Sequence, residues 1–501
     1  MRRHKSTTRT TDRSPHGIEP FGWNATSRRD FVKSSAARLM AAAIAPATLA
    51  GPADANQAGG AVQSGRNQRI LLKGGTVLTL DRTIGDFETA DVLIEGKQIV
   101  AVGPNLKAEA QVIDASNMIV MPGFVDTHHH QYQTILRGVV ADGILNGPRS
   151  YVSDIQGILT PAYRPEDAHI SELVASLSQI NAGVTTGVDT SQVSHTPQHT
   201  AACLDGLARA GRRTVFAYSS GVGSGVRYPQ DIRRLRKERF ASNDQLLTLA
   251  LGGGLSESSW ALAREVGASI VSHVVGNPDA LVAMGKAGLM GPDNEYIHCT
   301  RLSDTAWKMI ADTGGKVSIA TAIEMQMRHG MPPIQQALDH RILPSLSVDV
   351  ETNMAADMFT VMRSTFTLQR ALVNERVLAG EQNLPPLLTC REVLEMATIQ
   401  GARDCHLDRR IGTLTPGKEA DIIMLRTDLV NVMPLNHAPG AVVTLMDTSN
   451  VDTVFVAGNL VKRGGRLVGV DLPRIRQALE TSRDAVLARA RYTVNRVGAR
   501  P

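Results

Sequence analysis

The stretch VDTHHHQYQT, residues 125–134, directly follows the apolar run MIVMPGF, residues 118–124. The run is apolar and rich in β-branched side chains, so residues 119–128 are predicted as one buried strand. Along a strand, side chains two apart share a face. His128 and His130 therefore point one way and His129 the other. Two imidazoles on one face suit a divalent metal such as zinc. An isolated H-x-H is a short pattern for which solvated histidines on a polar strand end are the favoured reading, and further ligands elsewhere in the chain would reverse it.

Downstream, apolar strand candidates alternate with amphipathic stretches. The candidates are GVTTGVDT (183–190), TVFAYSS (214–220), LLTLALGG (246–253), SIVSHVVG (269–276), EYIHCT (295–300), KVSIAT (316–321) and PSLSVD (344–349). Helical segments such as QHTAACLDGLARAG and DTAWKMIADTGG lie between them. Eight strands, each followed by a helix or loop, predict an α/β fold of the (β/α)8 TIM barrel type. No G-x-G-x-x-G follows the first strand, which argues against an open dinucleotide-binding sheet.

A barrel of this kind collects its site at the C-terminal ends of the strands. Those ends carry His128 and His130, then His273, His298 beside Cys299, and Asp349. Any one of these histidines alone would be read as a packed core residue. Together they make a set of neutral imidazoles and a carboxylate suited to Zn²⁺.

Short strands broken by Gly, Asn and Asp turns fill residues 68–122 and return at 409–470, predicting a small β-sandwich domain assembled from both chain ends. The barrel is expected over 123–408, with a C-terminal helix and tail at 471–501.

The first 55 residues read differently. Ser27-Arg28-Arg29-Asp30-Phe31-Val32-Lys33 precedes an Ala-rich apolar run and then Ala53-Asp54-Ala55, an A-x-A cleavage pattern. This is similar to a twin-arginine signal peptide, with 56–67 as linker. The expectation is a folded product handed to the twin-arginine translocase, and a periplasmic or secreted location. The segment holds nine Lys/Arg against four Asp/Glu, and the remainder is balanced, so the chain's net charge of +5 belongs to the signal. No basic patch for nucleic acid remains, and RRLRKERF (233–240) reads as an exposed helix face. No later stretch has transmembrane length, so stable membrane insertion is not expected. Four scattered cysteines predict no disulfide framework. A homo-oligomer is left open.

PGFVDTHHH and the closing segment EVLEMATIQGARDCHLDRRIGTLTPGKEADIIML (392–425) resemble the amidohydrolase superfamily, in the branch of cytosine and guanine deaminases and of triazine and S-adenosylhomocysteine hydrolases. The resemblance covers about residues 68–470. It implies His128, His130 and His273 as metal ligands, Asp349 as ligand and proton carrier, and His298 as the residue that orients water or substrate. The implied chemistry is hydrolysis of a non-peptide carbon–nitrogen bond, with a metal-activated water attacking an sp² carbon of a heterocyclic amine or cyclic amide. Binuclear relatives bridge their metals through a carboxylated lysine at the end of strand four. Here strand four reads LALGGGLS, and Lys237 is the one lysine between Lys107 and His273. A single metal ion, zinc, is therefore expected.

The chain departs from the deaminase pattern at one place. A glutamate usually stands three residues after the strand-five histidine, as the acid/base for the leaving ammonia; here that position is Gly276. Asp349 would then carry both proton transfers, or Glu324 in TAIEMQMRHG would supply the carboxylate. Gln131 and Gln133 are candidate contacts to a small-molecule substrate. The rival readings are a dehalogenating hydrolase on a heteroaromatic ring and a metal-free barrel used for binding.

Overall fold

The computed structural model describes residues 68–242 and 244–497. Five strands come first among the described residues: β1 (Arg69–Val77), β2 (Phe87–Glu95), β3 (Gln98–Gly103), β4 (Gln111–Asp114) and β5 (Met118–Pro122). The eight that follow are β6 (Phe124–His129), β7 (Val184–Ser191), β8 (Arg213–Tyr218), β9 (Leu247–Gly253), β10 (Ser269–Val275), β11 (Asn294–Thr300), β12 (Lys316–Ile319) and β13 (Ser345–Leu346). They pair in chain order, all in parallel, as the wall of a (β/α)8 barrel.

The helices on the outside include α1 (Pro165–Asn181), α2 (Pro197–Ala210), α3 (Ile232–Glu238), α4 (Glu257–Glu265), α5 (Pro278–Lys286), α6 (Asp304–Thr313) and α7 (Thr321–Gln326). Most start at local signals in the sequence. Thr196, Ser256 and Ser303 cap α2, α4 and α6 with side-chain oxygens, and Gly211 and Gly314 end α2 and α6 in the left-handed region. In α3 Arg233 pairs with Glu265 and Arg234 with Asp231 and Glu238, while Ile232 and Leu235 turn inward.

A second sheet combines the first five strands with β14 (Ile422–Arg426), β15 (Val451–Val456), β16 (Asn459–Arg463) and β17 (Arg466–Leu467) from the far end of the chain. β5 and β14 are the antiparallel junction between the two contributions. Leu72, Val92, Ile94, Val120, Ile422 and Phe455 form its own buried core. Buried Arg213, at the start of β8, holds this sheet to the barrel. Its guanidinium donates to both carboxylate oxygens of Asp421 (3.0 and 3.1 Å) and to Glu419 (2.6 Å).

The expected single strand over 119–128 is in fact two. β5 pairs with β14 in the second sheet, and β6 pairs with β7 in the barrel. Pro122 and Gly123 are the hinge. Gly123 donates to Asp421, Phe124 donates to Gly183, and a Cβ on Gly123 would collide with Thr185. The eighth strand is also shorter than expected, with two regular residues, and the chain reaches Asp349 through an isolated parallel bridge to His129.

The barrel interior is filled by Val125, Val188, Val215, Ala250, Val271 and Ile297 from the strands. Ala402, Cys405, Leu407 and Ile411 plug it from the closing segment. Gly401 permits this approach, since a Cβ there would lie 2.8 Å from Cβ of Val125. All four cysteines are free. Among the described residues, no helix is long and apolar enough to cross a membrane. The paired arginines, the apolar run and the A-x-A pattern lie outside the described residues.

Candidate active site

The end of β6 and the residue just after it supply the first two imidazoles. His128 and His130 sit with ring centroids 4.7 Å apart. His129 faces the other way, toward Asp126 and Glu351. His273, from the interior-facing register of β10, brings its ring to 4.7 Å from His128 and stacks at 5.3 Å on His130. His298, near the end of β11, lies 5.6 Å from His128. Among the described residues, two groups have ligand atoms within 4.8 Å of one another and could hold an ion: His128, His130 and His273, and His128, His298 and Asp349.

Thr190, at the end of β7, orients the first pair. Its hydroxyl bonds Nδ1 of His128 at 2.9 Å, and its carbonyl accepts from Nδ1 of His130 at 3.2 Å. A carbonyl only accepts, so Nδ1 of His130 carries the hydrogen. Burial pushes the His130 pKa down to about 3, so the ring is neutral and its Nε2 presents a lone pair. That lone pair faces Oδ1 of Asp349 at 3.5 Å, and Nε2 of His128 faces the same oxygen at 3.2 Å with no hydrogen-bond partner of its own. A lone pair directed at a carboxylate, as that of His130 is, repels it unless a cation lies between them. The donor set therefore fits a divalent metal ion, and burial, which also lowers the pKa values of His128 and His273, keeps the ligands in the neutral form that metal binding requires.

Asp349 is buried. Burial alone would raise its pKa, but the adjoining imidazoles of His128, His298 and His130 outweigh that and hold it well below the usual carboxylate range. Oδ2 of Asp349 lies 3.7 Å from Nε2 of His298. On the other side of that ring, Nδ1 meets Oε1 of Glu324 at 3.1 Å, and the same oxygen accepts the Ala320 N–H at 2.9 Å. Glu324, in the first turn of α7, leaves its second oxygen without a partner. Burial raises the Glu324 pKa against the pull of His298. Burial opposes charge on His298 too, but the Glu324 hydrogen bond and the Asp349 charge outweigh it and raise that ring's pKa.

The two glutamines diverge. Gln131 accepts from Ser176 of α1 at 3.0 Å, so its amide oxygen is engaged with the helix layer, while its nitrogen is buried without a partner. Gln133 donates to the hydroxyls of Tyr132 (2.9 Å) and Tyr151 (2.7 Å), and its oxygen is buried without a partner. The Tyr151 ring is 6.4 Å from His130. A cavity of about 390 Å³ reaches His273 and is lined by Tyr132, Gln156, Thr160, Gln192 and Tyr228. A larger groove of about 560 Å³ lies between α1 and the C-terminal helix Leu472–Ala490, but it has no converging imidazoles. Convergent polar groups, not volume, single out the barrel mouth.

Three residues near the site were not among those expected from the sequence. Thr190 ends a strand with no ionisable side chain to mark it. His329 is buried with its ring edge-on to His298 at 4.7 Å. It lies in the same run as Glu324, TAIEMQMRHG, and as the single histidine of that run it carries a signal of its own. Arg301 follows the His298 strand by one residue and reads in sequence as an ordinary surface cation.

Residues 119–461 match the amidohydrolase family. The chain is similar to a 5'-deoxyadenosine deaminase of Methanosarcina mazei, 26% identical over 456 residues, covering 84% of this chain and 99% of that protein. It is also similar to a 5-methylthioadenosine/S-adenosylhomocysteine deaminase of Desulforudis audaxviator, 27% identical over 449 residues, covering 83% and 98%. Its fold matches an adenosine deaminase from Xanthomonas campestris with bound zinc, TM-score 0.72 at 19% identity, over 84% of this chain and 98% of that one. An atrazine chlorohydrolase from Arthrobacter aurescens complexed with zinc matches with TM-score 0.74 at 20% identity, over 83% and 100%. The family match spans the barrel and the β5–β14 junction of the second sheet, and the converging imidazoles and carboxylate lie within it: the chain belongs to the amidohydrolase family, hydrolases of carbon–nitrogen bonds.

Proposed function

We propose that this protein hydrolyses an exocyclic or ring carbon–nitrogen bond of a heterocyclic amine or cyclic amide, with deamination of a purine-type amine as the leading case. The observation that carries the reading is a pair of triads that share His128, namely His128–His130–His273 and His128–His298–Asp349, each with its ligand atoms within 4.8 Å of one another. The deaminase activities named for the Methanosarcina and Desulforudis relatives support it.

In this reading His128, His130, His273 and Asp349 hold one divalent ion, zinc. Bound there, such an ion lowers the pKa of a water from ~15.7 toward ~7 and polarises the carbon under attack. Asp349 takes the proton of the attacking water and returns it to the leaving nitrogen. His298, held through Nδ1 by Glu324, points Nε2 at the reacting centre and donates to the oxygen that gains charge. Gln133 turns its unpartnered oxygen to a substrate N–H, while Gln131 serves packing.

The test is ammonia release by zinc-loaded protein from 5'-deoxyadenosine, 5'-methylthioadenosine, S-adenosylhomocysteine, adenosine, cytosine, guanine and aminotriazines, with ring opening of cyclic amides followed in parallel. Turnover of none of them sinks the reading. Dehalogenation remains the second reading for one reason: with Gly276 in place of an acid, a chloride, which departs without a proton, needs less from the site than ammonia does. Chloride release from a chlorotriazine without ammonia release would favour it. Export by the twin-arginine route is part of the proposal and is supported by the Arg28-Arg29 segment alone.

A further inference from the structure

Gly276, three residues beyond His273, has φ of 60° and no side chain. The space beside it is not empty. A Cβ built on Gly276 would lie 2.9 Å from both Nε and Nη2 of Arg301 and 3.0 Å from its Cζ. The guanidinium of Arg301 thus fills the room into which a side chain at position 276 would project. A cation stands where an acid/base carboxylate would otherwise be.

Arg301 is exposed and makes no ion pair or hydrogen bond with any described residue. Arg328, on the loop after α7, is likewise exposed and without an acidic partner among the described residues. The residue after Arg328 is His329, only 3% exposed, with neither ring nitrogen hydrogen-bonded. Its ring rests edge-on against His298, and Arg301 is close enough to act on its charge. The loop is locked in this position, since Thr300 Oγ1 donates to the His329 carbonyl at 3.0 Å and the His329 N–H donates to the Glu324 carbonyl at 3.1 Å. A buried polar ring is normally hydrogen-bonded. One whose nitrogens are both unpaired against His298, beside an unpaired guanidinium, awaits a partner that accepts hydrogen bonds and carries negative charge.

We propose that Arg301 and His329 form an anion subsite at the strand-five and strand-six edge of the mouth, and that the substrate is a heterocycle bearing a carboxylate on or directly beside the ring that reacts. Arg301 offers the planar fork that matches a carboxylate. His329 donates from the buried side. The inference rests on the hydrolase reading above, but it concerns which heterocycle binds rather than which bond breaks.

The experiment compares matched pairs by calorimetric titration of the full, zinc-loaded protein: cytosine against cytosine-5-carboxylate, and 2-aminopyrimidine against 2-aminopyrimidine-5-carboxylate. Ammonia release is followed on the same samples. In at least one pair the carboxylate member should bind tenfold tighter or more, with an advantage that shrinks as salt is raised. Arg301→Gln should bring the ratio of the two dissociation constants toward one, Arg301→Lys should retain part of it, and His329→Asn should reduce it. Elemental analysis of each variant should still find the metal. If in neither pair the carboxylate member binds more tightly, or if the preference survives Arg301→Gln, the subsite proposal is overturned. Selective binding of the carboxylate members without ammonia release upholds the subsite and counts against deamination instead, so the two readings fail separately.

Discussion

Asp349 is joined to β6 on both sides of its own carboxylate: its N–H donates to the His128 carbonyl at 2.9 Å, and its carbonyl accepts the His130 N–H at 2.8 Å. These bonds close the barrel between its last and first strands. They also make the seam and the candidate metal site one piece of structure. Asp349 adopts φ of 61°, which a non-glycine residue holds only when its surroundings impose it. Buried Asp126 adds to the constraint by accepting from the N–H groups of Val348 and His128.

Because backbone bonds hold position 349, Asp349→Asn should keep the fold and the shape of the site while removing the base. General acid–base catalysis contributes ~10²–10⁴ in rate, so kcat should fall by at least that range with metal still present by elemental analysis. Glu324→Gln, which leaves a hydrogen-bonding group against His298, should reduce kcat much less. Steady-state kinetics on any active substrate checks both. Loss of turnover in Glu324→Gln with a mild Asp349→Asn would transfer the proton-carrying role to α7.

Metal removal should destabilise the barrel mouth, since the facing lone pairs of His130 and Asp349 are then uncompensated. Purified protein should hold one zinc per chain. Chelation should lower the melting temperature, and added zinc should restore it. Free metal at 100 times its dissociation constant is worth ~2.7 kcal/mol. His273→Ala should abolish the zinc-dependent part of the shift. Two equivalents of tightly bound metal would contradict the single-ion reading.

The barrel floor predicts a pH dependence of stability. Burial pushes the pKa of Asp404 up to about 7, and Glu295 beside it is also raised by burial and by Asp404. In the unfolded chain Asp404 loses its proton near its ordinary value of 3.8. Between those two pH values the folded state binds more protons, so stability falls as pH rises through that window. Asp404→Asn removes this loss. Its melting temperature should exceed that of the parent at pH 8, and the gap should close toward pH 4. A gap independent of pH would rule out the assignment.

Arg213 tests the connection between the barrel and the second sheet. Removing one partner of a buried ion pair destabilises by ~3–5 kcal/mol, so Arg213→Ala should lower the urea midpoint accordingly. Glu419 retains Arg410 at 2.8 Å, which leaves Asp421 as the stranded charge. Arg213→Ala combined with Asp421→Asn should recover part of the loss.

The proposed export rests on Arg28 and Arg29. Replacing both with Lys should leave the protein in the cytoplasm, followed by fractionation and immunoblotting. Efficient export of the double variant would refute the twin-arginine assignment.

What the sequence determined by itself are the features that depend on local period and composition. Alternation of apolar strands with amphipathic helices leads to the barrel, since each strand must bury both faces. A period of two along β6 is enough to put His128 and His130 on one side and His129 on the other. Only the tertiary structure decided features that depend on which elements become neighbours. The run from 119 to 128 is continuous in hydrophobicity, yet its halves find partners in different sheets, and no local pattern marks that change beyond Pro122-Gly123. Gln131 and Gln133 have the same chemistry two residues apart, but a helical turn, not a strand, carries them, so one meets Ser176 and the other Tyr151. The absence of an acid at Gly276 is visible in one dimension. That Arg301, 25 positions later, fills the space beside it is not, because side-chain volume at the end of one strand is set by its neighbour across the sheet.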